Sequence, residues 1–210
     1  MPTLVIETAT AACSVAMIDG SSVLGSRHEV VGRGHAERLV PMIAELLDGA
    51  VPEAILVDCG PGSFTGVRVG IAAARGLAIG WGIPAQGYSS LTLMARAHFF
   101  AHPHCAELAV LSEGGHGELF MQAFTASPFA ASTALGSVSP EVALEQAGAR
   151  TIIGSGAARL LEIDPALDAH DALPEARAAA WLPAEHRTLP PRPIYGRAPD
   201  AKVASGGPTR

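Results

Sequence analysis

Cys59-Gly60-Pro61-Gly62-Ser63-Phe64-Thr65-Gly66-Val67-Arg68-Val69-Gly70 lies between two runs of opposite periodicity. The run before it, Ala54-Ile55-Leu56-Val57, is continuously apolar and predicts a buried strand. The run after it, Ile71 to Gly80, is rich in Ala and Gly and predicts a helix. Strand, glycine loop and helix together form a geometry often used for anions. Glycine lets the backbone turn tightly, and the new helix points unpaired N–H groups forward. The chemistry argues against a phosphate loop here. Such a loop needs Gly-Lys-Ser/Thr at its end, and here Gly66 is followed by Val67 and Arg68. The only lysine in the chain is Lys202. A dinucleotide fingerprint is also poor, because Pro61 donates no N–H and the later glycine is missing. A structural reading stays open beside the ligand one: Pro61-Gly62 makes a tight turn, and Ser63 or Thr65 caps the helix.

Working outward, Thr3–Ala9, Ala12–Ile18 and Val23–Val31 predict three strands, the second and third joined by an Asp19-Gly20 hairpin. His35 to Leu47 predicts a helix, with Leu39, Met42, Ile43, Leu46 and Leu47 on one side and a kink or restart at Pro41. Ala85–Tyr88 predicts a short strand, and Ser89 or Ser90 a cap for the helix through Leu91, Met94 and His98. After Ala101-His102-Pro103-His104 the pattern repeats in shortened form. Glu107–Ser112 and Glu118–Phe124 predict a hairpin, with a third strand near Ala134–Val138. Ser139-Pro140 opens a helix, Thr151–Gly154 is a strand, and a helix follows Gly154-Ser155-Gly156 to Leu161. The organisation is therefore a first lobe over 1–100, a shortened second lobe over 101–188, and a Pro/Gly-rich strap or tail over 189–210. Hairpin strands followed by βα units predict an α/β fold with mixed sheets.

The 210 residues are 49% hydrophobic, 16% charged and 5% aromatic, with a formal charge of −6. A sizeable core of Ala, Val, Leu and Ile is expected. An acidic chain with one lysine is a poor stand-alone nucleic-acid binder. Cys13, Cys59 and Cys105 are widely spaced and suit a reducing cytosol. No signal peptide and no membrane span are expected, and the location expected is cytoplasmic.

Four stretches together resemble the TsaB (YeaZ) family. They are Ile6-Glu7-Thr8-Ala9-Thr10 with Cys13-Ser14-Val15-Ala16, His35-Ala36-Glu37-Arg38-Leu39-Val40-Pro41-Met42-Ile43, the glycine stretch Gly60–Gly70, and Gly87-Tyr88-Ser89-Ser90-Leu91. Pro193-Ile194-Tyr195-Gly196-Arg197 is similar to the family's tail. The resemblance covers the first half strongly and the second half weakly. It implies the actin, hexokinase and Hsp70 (ASKHA) fold, with two tandem RNase H-like lobes. It also implies a non-catalytic subunit of tRNA threonylcarbamoyladenosine (t6A) synthesis. The implied partners are a homologous TsaD-type catalytic subunit, a TsaE-type ATPase, a second copy when alone, and tRNA only through the complex. No cofactor of its own is implied, with ATP or ADP at the junction of the complex. The chain departs from the family where Asp-Thr-Ser is replaced by Glu7-Thr8-Ala9 and where Asp-Ala-Arg is replaced by Glu113-Gly114-Gly115. The catalytic relative carries a metal-binding histidine pair on a helix, and no His-x-x-x-His is expected in this chain.

The small residues Gly66, Gly70, Ala73 and Ala74, with Leu77 on the same helix, predict close helix approach, since each helix-interior glycine costs about 1 kcal/mol against alanine and needs a packing reason. With the resemblance, they join His35, Leu39, Met42, Ile43, Leu46 and Arg68 as the expected partner surface. Its alternative is packing on the chain's own sheet. Glu7, Thr8, Gly60, Gly62, Gly154 and Gly156 are the residues that a nucleotide would meet, were the chain a stand-alone small-molecule kinase or ATPase of the same fold. His102-Pro103-His104-Cys105 is a weak metal candidate beside an exposed-loop reading, so no metal site is assigned. No Ser, Cys or His has the sequence context of a protease or other hydrolase, and no catalytic residue is assigned.

Overall fold

A computed structural model describes residues 1–114 and 117–195. The first sheet contains β1 (Pro2–Glu7), β2 (Ala12–Asp19), β3 (Ser22–Val30), β4 (Ala54–Asp58) and β5 (Ala85–Tyr88), in the order β3-β2-β1-β4-β5. The first three strands are antiparallel, and β4 and β5 run parallel to β1. The second sheet contains β6 (Glu107–Glu113), β7 (Leu119–Ala126), β8 (Phe129–Ala131), β9 (Gly136–Val138), β10 (Thr151–Ile153) and β11 (Ala169–His170). Its path is β8-β7-β6-β10-β11, with β9 paired to β7. The two paths match strand for strand in order and direction. This is one RNase H-like sheet used twice, the arrangement of the actin-like fold.

Helices α1 (His35–Leu47), α2 (Phe64–Trp81) and α3 (Ser90–Ala101) belong to the first repeat, and α4 (Pro140–Ala147) and α5 (Ala157–Leu161) to the second. Strand alternation sends side chains to both faces of each sheet. Leu4, Ile6, Val15, Ile55 and Val57 meet Leu39, Met42 and Ile43 of α1 and Val67, Ile71 and Ala74 of α2. On the opposite face Val5, Ile18, Leu56 and Tyr88 meet Leu93 of α3 and the 3-10 segment Ala176–Trp181. The second sheet packs α4 and α5 on one face and Leu91, Met94, Ala95 and Phe99 of α3 on the other. Helix α3 is thus buried between the two sheets.

Several elements differ from expectation. Pro41 does not restart α1, which is continuous through it. Pro41 is exposed, so water can satisfy the carbonyl that lacks its N–H partner. Ser63, not Thr65, caps α2, accepting the Gly66 N–H at 3.2 Å. Neither Ser89 nor Ser90 caps α3 with its side chain: the Ser90 hydroxyl donates to the Pro61 carbonyl at 3.0 Å. Strands β8 and β11 and the Ala176–Trp181 segment are additional to the predicted elements. The last of these was placed with the second lobe, yet it covers the first sheet. Leu189–Tyr195 is a strap. Leu189 exchanges backbone hydrogen bonds with Gly87, and Ile194 donates to the Cys59 carbonyl at 2.7 Å. The part of the predicted tail beyond Tyr195 lies outside the described residues.

Leu93 is fully buried against the first sheet, so Leu93→Ala should destabilise by about 2–5 kcal/mol in urea unfolding. Ile79→Ala, at a site 84% exposed, should stay within about 0.5 kcal/mol of wild type.

Candidate functional site: a sealed acidic pair and an exposed helix pair

β1, β4 and β5 are parallel, so their carboxyl ends converge. Glu7, Asp58 and Tyr88 end these three strands, and all three side chains are fully buried. The Glu7 carboxylate accepts the Ala9 N–H at 2.9 Å and the Tyr88 hydroxyl at 3.0 Å. Asp58 accepts the Gly60 N–H at 2.6 Å through Oδ1, while its Oδ2 has no hydrogen-bond partner. Burial pushes Glu7 up to about 7. Burial, with the Glu7 charge second, holds Asp58 well above the usual carboxylate range. Burial chiefly, reinforced by the two carboxylates, also raises Tyr88. Two carboxyl groups this close in a dry site keep protons that water would strip from them.

The loop after β1 fills the hollow of the glycine stretch. Thr8 Oγ1 donates to the Gly66 carbonyl at 2.9 Å, and Ser63 N–H donates to the Ala9 carbonyl at 2.6 Å. A Cβ on Gly62 would collide with the Ala9 carbonyl; on Gly66 or Gly70 it would collide with Thr8. A Cβ on Gly154 would run into the Leu111 carbonyl, and on Gly156 it would crowd the Leu111 and Leu119 side chains. Glu7 and Thr8 have no exposed surface, and Gly60 is buried. Each residue expected to meet a nucleotide therefore has a packing partner within this chain. Close backbone approach, rather than a phosphate, accounts for the glycines at positions 62, 66, 70, 154 and 156.

The expected partner surface needs the same correction. His35, Leu39, Met42, Ile43, Gly66, Gly70 and Ala74 are buried, and Leu46, Ala73 and Leu77 are half-buried against the same core. His35 Nε2 donates to the Ala12 carbonyl at 3.1 Å, which ties the start of α1 to β2. The most apolar side of each helix was taken by this chain's own sheet. The opposite side is what remains for a partner. Helix α1 exposes Val40, Pro41 and Ala44, and α2 exposes Phe64, Ala72, Arg75, Gly76 and Ile79, with Arg68 half-buried among them. Val40 is 56%, Phe64 71% and Ile79 84% exposed. A Cβ on Gly76 would meet nothing within 4 Å.

Asp58 and Tyr88 were not singled out from sequence. The available signal was position alone: Asp58 directly follows the predicted strand Ala54–Val57, and Tyr88 ends the predicted strand Ala85–Tyr88. The expectation of no helical histidine pair is also corrected. His98 and His102 stand four apart at the end of α3, with stacked rings 4.2 Å between centroids. Among the described residues no three His, Cys, Asp or Glu side chains converge to hold a metal. No helix there is long and apolar enough to cross a membrane.

A duplicated RNase H-like sheet with a dry acidic pair at its strand ends defines a two-lobed protein of the actin-like class. A family model described as "TsaD: tRNA N6-adenosine threonylcarbamoyltransferase" matches residues 23–143, more than half of the chain. The chain belongs to this family, on its TsaB (YeaZ) branch. It is 42% identical over 101 residues to the tRNA threonylcarbamoyladenosine biosynthesis protein TsaB of Escherichia coli, and 41% over 104 residues to that of Haemophilus influenzae. These matches take in 46% and 47% of this chain but only 43% and 44% of the relatives' own lengths. The solved structure of YeaZ from Pseudomonas aeruginosa aligns with a TM-score of 0.76 at 28% identity, over 92% of this chain and 99% of that one. A second Pseudomonas aeruginosa structure, of an uncharacterized protein with similarity to peptidase YEAZ, gives a TM-score of 0.77 at 27% identity, over 93% and 99%.

The acidic pair sets a pH dependence. Glu7 binds its proton more tightly in the folded chain (about 7) than in the unfolded one (near the ordinary 4.5). Between those values the folded state holds more protons, so stability falls as pH rises through this window, and the raised Asp58 adds to the fall. Glu7→Gln should flatten the slope of unfolding free energy between about pH 4.5 and 7, where one proton contributes about 1.4 kcal/mol per pH unit. An unchanged slope in urea titrations across that range would show that Glu7 is not the group responsible.

Proposed function

We propose that this protein is a non-catalytic subunit of tRNA t6A synthesis that docks on a TsaD-type threonylcarbamoyltransferase and activates it. The single observation that carries the reading is the outer face of α1 and α2. Both helices bury one side on the first sheet, and the other side still exposes Val40, Phe64, Ala72, Gly76 and Ile79. Small residues beside isolated large apolar ones let a second helix approach closely. The sealed site supports the non-catalytic part. A carboxylate with no exposed surface meets no substrate, and the glycine loops are occupied by Thr8, Ala9 and Leu111 of the same chain. The kinase or ATPase alternative needs those residues open.

Activation follows from docking: a rigid helical platform holds the catalytic partner in its productive arrangement. The same face pairs two copies of this chain when the partner is absent. A TsaE-type ATPase joins the assembled pair, any ATP or ADP sits at the junction, and tRNA is engaged through the complex. The charge of −6 and the single lysine support that last point. The complex works in the cytoplasm.

Light scattering after size exclusion tests the reading, with the chain alone and mixed with the TsaD-type protein of the same organism. The expected result is a self-paired species that converts to a one-to-one heterodimer. Ala72→Trp and Ile79→Arg should both abolish pairing while leaving the thermal melt of the monomer unchanged. Normal pairing by both variants would remove the docking face from α2.

A further inference from the structure

Arg68 is one of only two charged residues in α2, and both are arginines. The chain as a whole carries −6, so this helix is a locally positive strip on an acidic protein. The other arginine, Arg75, lies two turns on along the same side. The Arg68 guanidinium is mounted rather than free. Its carbon lies 3.2 Å from the Phe64 ring centroid and 5.7 Å from that of Tyr195. One terminal nitrogen donates to the Phe64 carbonyl at 2.9 Å, and the other donates to the Tyr195 hydroxyl at 3.2 Å. Among the described residues no carboxylate pairs with it, whereas Arg38, Arg150, Arg159 and Arg177 each have one. Phe64 and Tyr195 are 71% and 65% exposed, so the mount itself faces outward.

Tyr195 reaches this place because the strap brings it. Leu189 bridges to Gly87, the Cys59 thiol donates to the Pro190 carbonyl at 3.6 Å, and Ile194 packs against the first-lobe core. The end of the described chain is therefore stitched to the start of α2.

We infer that Phe64, Arg68 and Tyr195 form a clasp that receives a carboxylate from the docked catalytic partner, making the C-terminal strap part of the docking surface. The inference rests on the docking reading above. A guanidinium held between two rings has already lost most of its side-chain freedom, and it offers a fork to a planar acid. Aromatic residues and arginine are also the types that dominate binding energy at interfaces. The occupant is an Asp or Glu side chain of the partner, because no carboxylate among the described residues neutralises Arg68 and α2 itself supplies none.

The test is titration calorimetry of the full chain against the TsaD-type protein of the same organism, at about 50 mM and about 500 mM salt. Arg68→Glu should weaken binding by about 100-fold or more, Arg68→Lys by about tenfold, and Tyr195→Phe by about threefold. Wild type should weaken with salt, and Arg68→Ala should lose much of that dependence. Ala72→Trp serves as the control for the docking face. If Ala72→Trp fails to bind while Arg68→Glu binds like wild type, the clasp is overturned and the docking face stands. If both bind like wild type, the docking reading falls and the clasp with it. If Arg68→Glu disturbs only self-pairing, the occupant is a second copy and the proposal as stated is wrong. Overlapping thermal melts for all variants confirm that binding, not folding, is being read.

Discussion

Thr8 and the first turns of α2 occupy one volume, and much of the molecule follows from that. The Thr8 hydroxyl and carbonyl lie where side chains of residues 66 and 70 would otherwise project, so those positions must be glycine. With glycine there, α2 settles directly onto the end of β1. That approach buries Glu7, brings the loop of Gly60 over Asp58, and seals the strand ends from water. One steric contact thus fixes the position of the longest described helix and keeps water from the strand ends.

The sealed pair is a cost that the rest of the fold must offset. Two neighbouring carboxyl groups without a cation among the described residues are stable only if protons stay on them. The Tyr88 hydroxyl and the N–H groups of Ala9 and Gly60 satisfy part of their hydrogen-bonding capacity, and Asp58 Oδ2 is left over. Such an arrangement is compatible with a scaffold because no substrate has to reach it. The outward side of α1 and α2 has the opposite character, with apolar groups on show and two arginines unmatched by acids in α2.

Where local pattern and tertiary demand agree, the sequence was sufficient. Helix α1 runs over the predicted residues because Leu39, Met42, Ile43 and Leu47 recur at helical spacing, and β5 is bounded by Pro84 and the Ser89-Ser90 start of α3. Ser139 caps α4 ahead of Pro140 as those residue types require. Strands β8 and β11 and the Ala176–Trp181 segment are too short to carry a periodicity, and they exist because β7, β10 and the first sheet hold them in place. The candidate site was legible in part. Glu7, Thr8 and the glycines do come together, but a glycine loop reads the same whether its hollow holds a phosphate or a neighbouring loop. Most of the residues expected to form a partner surface are buried in this chain's own core for a related reason. Helical spacing identifies the apolar stripe, and the chain's own sheet has the first claim on it.

Helix α3 has apolar contacts on both sides, Leu93 towards the first sheet and Leu91, Met94, Ala95 and Phe99 towards the second. Two-lobed proteins that close on a ligand swing about a seam that can open at little expense. Here that seam is filled by a helix, backed by Ala176–Leu182, so parting the lobes would wet a core. A grip on α2 therefore bears on a first sheet that is joined to the second through the buried α3.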